Sequence, residues 1–185
     1  YCDGSSGIDG LDAVVGLSVS PDSSYIYAVS FDDDALAVFS RNQSTGKLTF
    51  LEVFKDGSNS IDGLDGAVAV SVAPDGKRVY VSSDADNAVV NFIRDTSNGK
   101  LTFIAAIKNG QSGQSLPTGR LTTVIVGPEN THLYVAGYDN DGISVFKITV
   151  DTTSPTVSNA TSSTADGTYK GGDVIAVTTT FSEAV

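Results

Sequence analysis

The chain has 185 residues, 40% of them hydrophobic, and carries 22 acidic against 11 basic side chains for a net charge of −11. That balance argues against a nucleic-acid partner, since a phosphate backbone selects lysine- and arginine-rich surfaces. No apolar run approaches the ~18 residues needed to cross a bilayer as a helix, which argues against membrane insertion. The acidity suits a secreted surface that stays soluble or attracts cations, or is a matter of solubility alone.

Tyr1 is not a translation start and no secretory signal is present, so further sequence is expected upstream. Cys2 is the only cysteine; any disulfide partner would lie upstream or in another chain. Asn42-Gln43-Ser44 and Asn159-Ala160-Thr161 are sequons that matter only in a eukaryotic secretory setting.

An internal repeat organises the chain. Residues 8–60 and 61–113 align without a gap, with 24 of 53 positions identical. Ile8-Asp9-Gly10-Leu11-Asp12 recurs as Ile61-Asp62-Gly63-Leu64-Asp65, Pro21-Asp22 as Pro74-Asp75, and Gly46-Lys47-Leu48-Thr49-Phe50 as Gly99-Lys100-Leu101-Thr102-Phe103. A weaker third copy follows: Pro128 stands 54 residues after Pro74, and Leu133-Tyr134-Val135 answers Val79-Tyr80-Val81. Asp3-Gly4-Ser5-Ser6-Gly7 matches Asp56-Gly57-Ser58-Asn59-Ser60, so residues 1–7 read as the tail of an earlier copy.

Each copy reads as four short strands. In the second they are Ala67–Ala73, Arg78–Ser83, Ala88–Asp95 and Leu101–Lys108, separated by turns at Pro74–Lys77, Asp84–Asn87 and Ser97–Gly99. Proline fixes φ in the first turn and Gly76 accepts positive φ. Ser23 and Asn130 replace that glycine in the other copies; asparagine tolerates the left-handed region well, serine less so. No segment shows a helical period. Four strands at this spacing fit a propeller blade better than a sandwich. The predicted class is therefore all-β: a partial β-propeller over residues 1–150, with blades at 8–60, 61–113 and 114–150. Three blades do not close a ring of the usual 4–8, so the rest of the ring is expected from sequence missing here or from other copies.

The run Ala73-Pro74-Asp75-Gly76-Lys77-Arg78-Val79-Tyr80-Val81, with Asn87-Ala88-Val89, Phe92-Ile93-Arg94-Asp95 and Gly99–Phe103, resembles blades of bacterial lactonase-like, 6-phosphogluconolactonase-type seven-bladed propellers. The likeness covers residues 1–150. Blades of this type are also similar to those of large secreted bacterial proteins without a lactonase role. Residues 151–155 read as a linker. The stretch 156–185, with Ser162–Asp173 and Phe181-Ser182-Glu183-Ala184-Val185, resembles the start of a bacterial immunoglobulin-like surface-protein repeat, a truncated β-sandwich-like segment. Together these imply an extracellular or cell-surface protein. In it the propeller would be a non-catalytic scaffold, adhesion or interaction module with a protein or glycan partner. The alternative is a sugar-lactone hydrolase whose active site lies mostly in other blades.

An up-and-down blade sorts its loops onto two faces. One collects Asp9, Asp12, Asp32, Asp33, Asp34, Asp62, Asp65, Asp84, Asp86, Asp139 and Asp141; the other carries Lys47, Lys77 and Lys100. Carboxylates in glycine-bent loops are hard-cation ligands, so Asp9, Asp12, Asp62, Asp65, Asp84 and Asp86 are candidates to hold calcium. The alternative is that aspartate simply suits hairpins. A second candidate is the junction, Asp151 with Asp166 or Glu183. No catalytic or organic-cofactor residue is assigned. His132 reads as an exposed turn residue, Arg41 and Arg94 as a structural recurrence, and Arg120 as the best-placed cation. Tyr27, Tyr80 and Tyr134, like Phe39, Phe92 and Phe146, recur as core positions.

Overall fold

A computed structural model describes residues 1–5, 7–110, 115–117, 119–139, 141–149, 157–162 and 177–181. Short runs of β-branched and aromatic residues between turn residues form every element, as expected for half-buried pleated surfaces. The first sheet is β1 (Val14–Val19), β2 (Tyr25–Ser30), β3 (Ala35–Arg41) and β4 (Leu48–Lys55). The second is β5 (Ala67–Val72), β6 (Arg78–Ser83), β7 (Ala88–Arg94) and β8 (Leu101–Lys108). The third contains β9 (Leu121–Val126), β10 (His132–Gly137) and β11 (Gly142–Lys147). Within each sheet the strands pair antiparallel with sequence neighbours.

The repeat extends to register. A shift between Val14 and Gly16 recurs between Ala67 and Ala69, and one between Val38 and Phe39 recurs between Asn91 and Phe92. The A–B turns also agree. Gly76 has φ 72°, Ser23 59° and Asn130 56°. Serine therefore does enter the left-handed region, at a cost of about 1 kcal/mol. The Asp22 carboxylate offsets this by accepting from Ser24 N–H at 2.9 Å and Ser20 Oγ at 2.6 Å.

These three sheets lie in one unit, Tyr1–Ile148; Thr149–Val185 is a second. In the second unit β12 (Val157–Ser162) pairs antiparallel with β13 (Val177–Phe181).

Each sheet is apolar on both faces. Tyr27, Val29, Leu36 and Val38 on one face of the first sheet pack against Val70, Val79, Val81, Val90 and Phe92 of the second. Tyr80 and Val89 on the far face of the second pack against Leu121, Val124, Leu133 and Val135 of the third. Phe92 meets Phe54 at 5.2 Å and Phe103 at 5.9 Å between centroids. Phe39 meets Phe50 at 5.6 Å and Tyr1 at 6.2 Å, so Tyr1 takes on Phe39 the place that Phe54 takes on Phe92.

One polar clamp crosses the first interface. Arg94 is 3% exposed. Its guanidinium donates to Asp22 at 2.5 Å, to the Tyr27 hydroxyl at 2.7 Å and to the Gly76 carbonyl at 2.9 Å, and stacks 5.0 Å over the Tyr25 ring. Burial pushes the Tyr27 hydroxyl up to about 12, against the opposing pull of Arg94, so it stays protonated. In the third sheet the equivalent residue is Ile148, packed on the apolar cluster. The arginine is thus structural, as its recurrence suggests. Arg94→Met is expected to lower stability by about 2 kcal/mol, because it strands the buried Gly76 carbonyl and leaves the Tyr27 hydroxyl with only its bond to the Gly99 carbonyl. Urea unfolding followed by circular dichroism checks this.

Candidate functional site

The crossover loops, which run from the last strand of one sheet to the first of the next, hold most of the carboxylates picked out by sequence. Three side chains fix the loop before β5. Asp56 accepts the Gly63 and Leu64 N–H groups, both at 2.9 Å. Asp86, from the β6–β7 turn, accepts Asp65 N–H at 3.2 Å. Asp34, from the β2–β3 turn of the preceding sheet, accepts Gly66 N–H at 2.8 Å. Gly63 has φ 140°, and a Cβ there would stand 2.7 Å from that of Ala106, so only glycine lets the loop press onto the strands. The loop before β1 repeats the pattern, with Asp3 on Leu11 N–H and Asp33 on Asp12 N–H. Before β9, Asn109 accepts Leu116 N–H and Asn87 Nδ2 donates to the Pro117 and Gly119 carbonyls.

Two lysines neutralise these loops. Lys55 ends β4 and reaches Asp9 at 2.8 Å and Asp33 at 2.9 Å. Lys108 ends β8 and reaches Asp62 and Asp86, both at 2.6 Å. The bonds to Asp9 and Asp33 hold Lys55 above the ordinary lysine range. At Lys108 partial burial opposes the charge, but the bonds to Asp62 and Asp86 outweigh it. The Asp12 N–H, then Lys55, hold Asp33 below the usual carboxylate range despite burial. The lysine contributions are complete below the ordinary lysine pKa and fade as pH rises through the folded value; that of Asp33 fades as pH falls through its lowered one.

Of the six aspartates named as calcium candidates, three come together with other carboxylates. Asp9 joins Asp3 and Asp33, and Asp62 joins Asp56 and Asp86, with ligand oxygens of each trio within 4.8 Å. Asp12, Asp65 and Asp84 belong to neither trio. In each trio a lysine ammonium bonds two of the three carboxylates, and a calcium ion would compete with it for them. Lys55 and Lys108 escape a search for acidic residues, yet they recur 53 positions apart, as Asp9 and Asp62 do. Asp151, Asp166 and Glu183 lie outside the described residues.

A different group of residues lines a cleft of about 340 Å³ where the starts of β1, β5 and β9 meet the neighbouring turns: Val15, Phe31, Val68, Asp84, Arg120 and Thr122 among them. Phe31, Asp84 and Tyr138 occupy one repeat position, each donating its N–H to the loop carbonyl of Ala13, Gly66 or Arg120. Arg120 lies 5.3 Å over the Tyr138 ring. Asp84 and Arg120 form no ion pair, which leaves an acid and a cation on one apolar-walled cleft. His132 sits elsewhere, at the start of β10, with Nδ1 3.0 Å from Thr131 Oγ1.

Antiparallel four-stranded sheets stacked face to face, first strand beside first strand, are the blades of a β-propeller. The chain belongs to the lactonase, 7-bladed beta-propeller, family, which matches residues 16–113, just over half of it. No curated protein matches. Among solved structures, a candidate 6-phosphogluconolactonase of Bacteroides uniformis aligns with TM-score 0.61 and 22% identity, over 76% of this chain and 38% of that one. The periplasmic gluconolactonase PpgL of Pseudomonas aeruginosa aligns with TM-score 0.59 and 23% identity, over 71% and 34%. The Cps50 (Swd1) propeller of Myceliophteria thermophila aligns with TM-score 0.53 and 14% identity, over 74% and 41%. Likeness at these identities establishes the fold. The chain spans about a third to two fifths of each relative's length.

Asp65 gives a test of the electrostatics. Desolvation, then Asp34, Asp86 and Asp56, raise its pKa. An acid raised in the folded state favours folding as pH falls and opposes it above. Asp65→Asn is expected to raise the melting midpoint at pH 7 by about 1–2 °C, with the gain vanishing near pH 3, where the wild-type carboxyl is protonated in both states. Melting in calcium and in chelator is expected to give the same midpoint, since a structural ion would separate the two curves.

Proposed function

We propose that the chain supplies blades to a sugar-lactone hydrolase of the propeller lactonase type. The family match over the two strongest repeats carries this reading. The cleft supports it: Arg120 can polarise a lactone carbonyl or hold an anionic sugar substituent, and Asp84 can accept a proton from water. Water adds to the carbonyl carbon, the ring acyl–oxygen bond breaks, and the proton lost by water ends on the released hydroxyl. The remaining contacts to the sugar would come from other blades. The periplasmic location of the Pseudomonas relative accords with a protein outside the cytoplasm.

One observation favours a second reading, a non-catalytic module of a secreted or surface protein. Asp3, Asp33, Asp34, Asp56 and Asp86 hold loop backbone, and Lys55 and Lys108 bridge carboxylates, so these groups serve the loops of the acidic face. The β12–β13 hairpin is compatible with the start of an immunoglobulin-like repeat, which would suit that setting. Hydrolysis of glucono-δ-lactone and its 6-phosphate by the full-length protein separates the two. Turnover above spontaneous opening is expected, with Arg120→Ala lowering kcat/KM about 100-fold; no acceleration would favour the module.

A further inference from the structure

Asparagine precedes glycine twice in the chain, at Asn98-Gly99 and Asn109-Gly110. Glycine has no Cβ to obstruct the approach of its own nitrogen to the preceding side chain. The two pairs sit in opposite surroundings. Gly99 is buried, and a Cβ on it would overlap the Tyr25 ring. Its N–H donates to the Asp95 carbonyl at 2.8 Å, and its carbonyl accepts the Tyr27 hydroxyl at 2.9 Å. The Asn98 carboxamide is held at both ends: Nδ2 donates to Asp95 at 2.6 Å and Oδ1 accepts Lys100 N–H at 2.9 Å. Nitrogen and side chain cannot turn toward each other without breaking these bonds.

Asn109 and Gly110 are both exposed, just beyond β8. Gly110 has φ 80°, and a Cβ there would meet nothing within 4 Å. The Asn109 carboxamide is held at one end. Its Oδ1 accepts Leu116 N–H at 3.2 Å, and Nδ2 donates to no acceptor among the described residues. The bond to Oδ1 draws charge from Cγ and leaves the amine end unheld. Through the repeat, Asn109 answers Asp3 and Asp56, the anchors of the two earlier crossover loops. Asp56 accepts two N–H groups, of Gly63 and Leu64. Their counterparts are Leu116 and Pro117, and proline has no N–H. An aspartate at 109 would keep the remaining bond, with the greater strength of a charged acceptor.

We propose that Asn109 is a site of spontaneous deamidation, and that the aspartate formed takes the anchoring role of Asp3 and Asp56. The deprotonated Gly110 nitrogen adds to Cγ of Asn109, the Cγ–Nδ2 bond breaks, and ammonia leaves as a cyclic imide closes. Water then opens the ring. Cleavage between Cγ and the Gly110 nitrogen gives aspartate. Cleavage between the main-chain carbonyl carbon and that nitrogen gives isoaspartate, in which the main chain runs through the former side chain. In sum, water is consumed and ammonia released. Either product places a negative charge on the loop that carries Arg120.

Incubation of the folded 185-residue chain at mildly alkaline pH, then brief tryptic digestion and mass spectrometry, tests this. Digestion of unincubated protein sets the baseline. Trypsin releases Asp95–Lys100 and Asn109–Arg120 as separate peptides. The second should acquire the mass of the acid at least about tenfold faster than the first, because two hydrogen bonds of ~1 kcal/mol each guard Asn98. In urea those bonds are gone and the two rates should converge. Asn109→Gln, which can close only a larger and slower ring, should remove the gain in the second peptide without altering the circular dichroism of the chain. Asn109→Asp should melt no lower than the parent chain. Equal rates at the two sites in the folded chain would overturn the proposal. So would an unchanged second peptide in the folded chain under conditions where the unfolded chain reacts. A lower melting midpoint for Asn109→Asp would overturn the anchoring role.

Discussion

A four-stranded sheet with apolar side chains on both faces needs two neighbours, and that requirement governs this molecule. The second sheet has both. Tyr27, Val29, Leu36 and Val38 cover one of its faces, and the third sheet covers the other. At about 1.5–3 kcal/mol per large side chain buried, stability resides between the sheets as much as in their hydrogen bonds. The Arg94 clamp adds direction to this contact. Its guanidinium reaches Asp22 and Tyr27 of the preceding sheet and Gly76 of its own, which is met in only one relative placement.

That constraint explains how the acidic face is used. Each crossover loop must carry the chain from an outer strand to the next inner strand while its backbone polar groups stay bonded. Asp56, Asp86 and Asp34 supply acceptors from three different segments, and Lys108 offsets their charge. Of the carboxylates that look from sequence like metal ligands, Asp86 anchors a loop N–H, while Asp9 and Asp62 bond the lysines. Chemistry is left to the cleft beside them, where Asp84 and Arg120 replace the apolar or small residues found at those repeat positions elsewhere.

The repeat was legible because its period survives in strands, turns and register. Strands β6 and β8 begin and end where the alternation of Arg78–Ser83 and Leu101–Lys108 places them. Recurrent Tyr27 and Tyr80 read as core and are buried, while their counterpart Tyr134 is exposed because a face at the end of the stack lacks a cover. The lysine bridges were not legible. Lys55 lies 46 residues from Asp9 and 22 from Asp33, and such pairs follow from sheet topology rather than local pattern. Comparing the repeats for co-recurring opposite charges would have found them. The cleft escaped because its residues are distinguished by departing from the repeat: Asp84 against Phe31, Arg120 against Gly66.

Amide hydrogen exchange tests most directly whether packing between sheets holds the unit together. With nearest-neighbour stabilisation, β6 and β7, covered on both sides, should open only with the whole unit and exchange slowest. Strands β1 and β11, at the ends of the stack, should exchange faster through local opening. Equal protection across the three sheets, or slowest exchange in the first, would contradict this account.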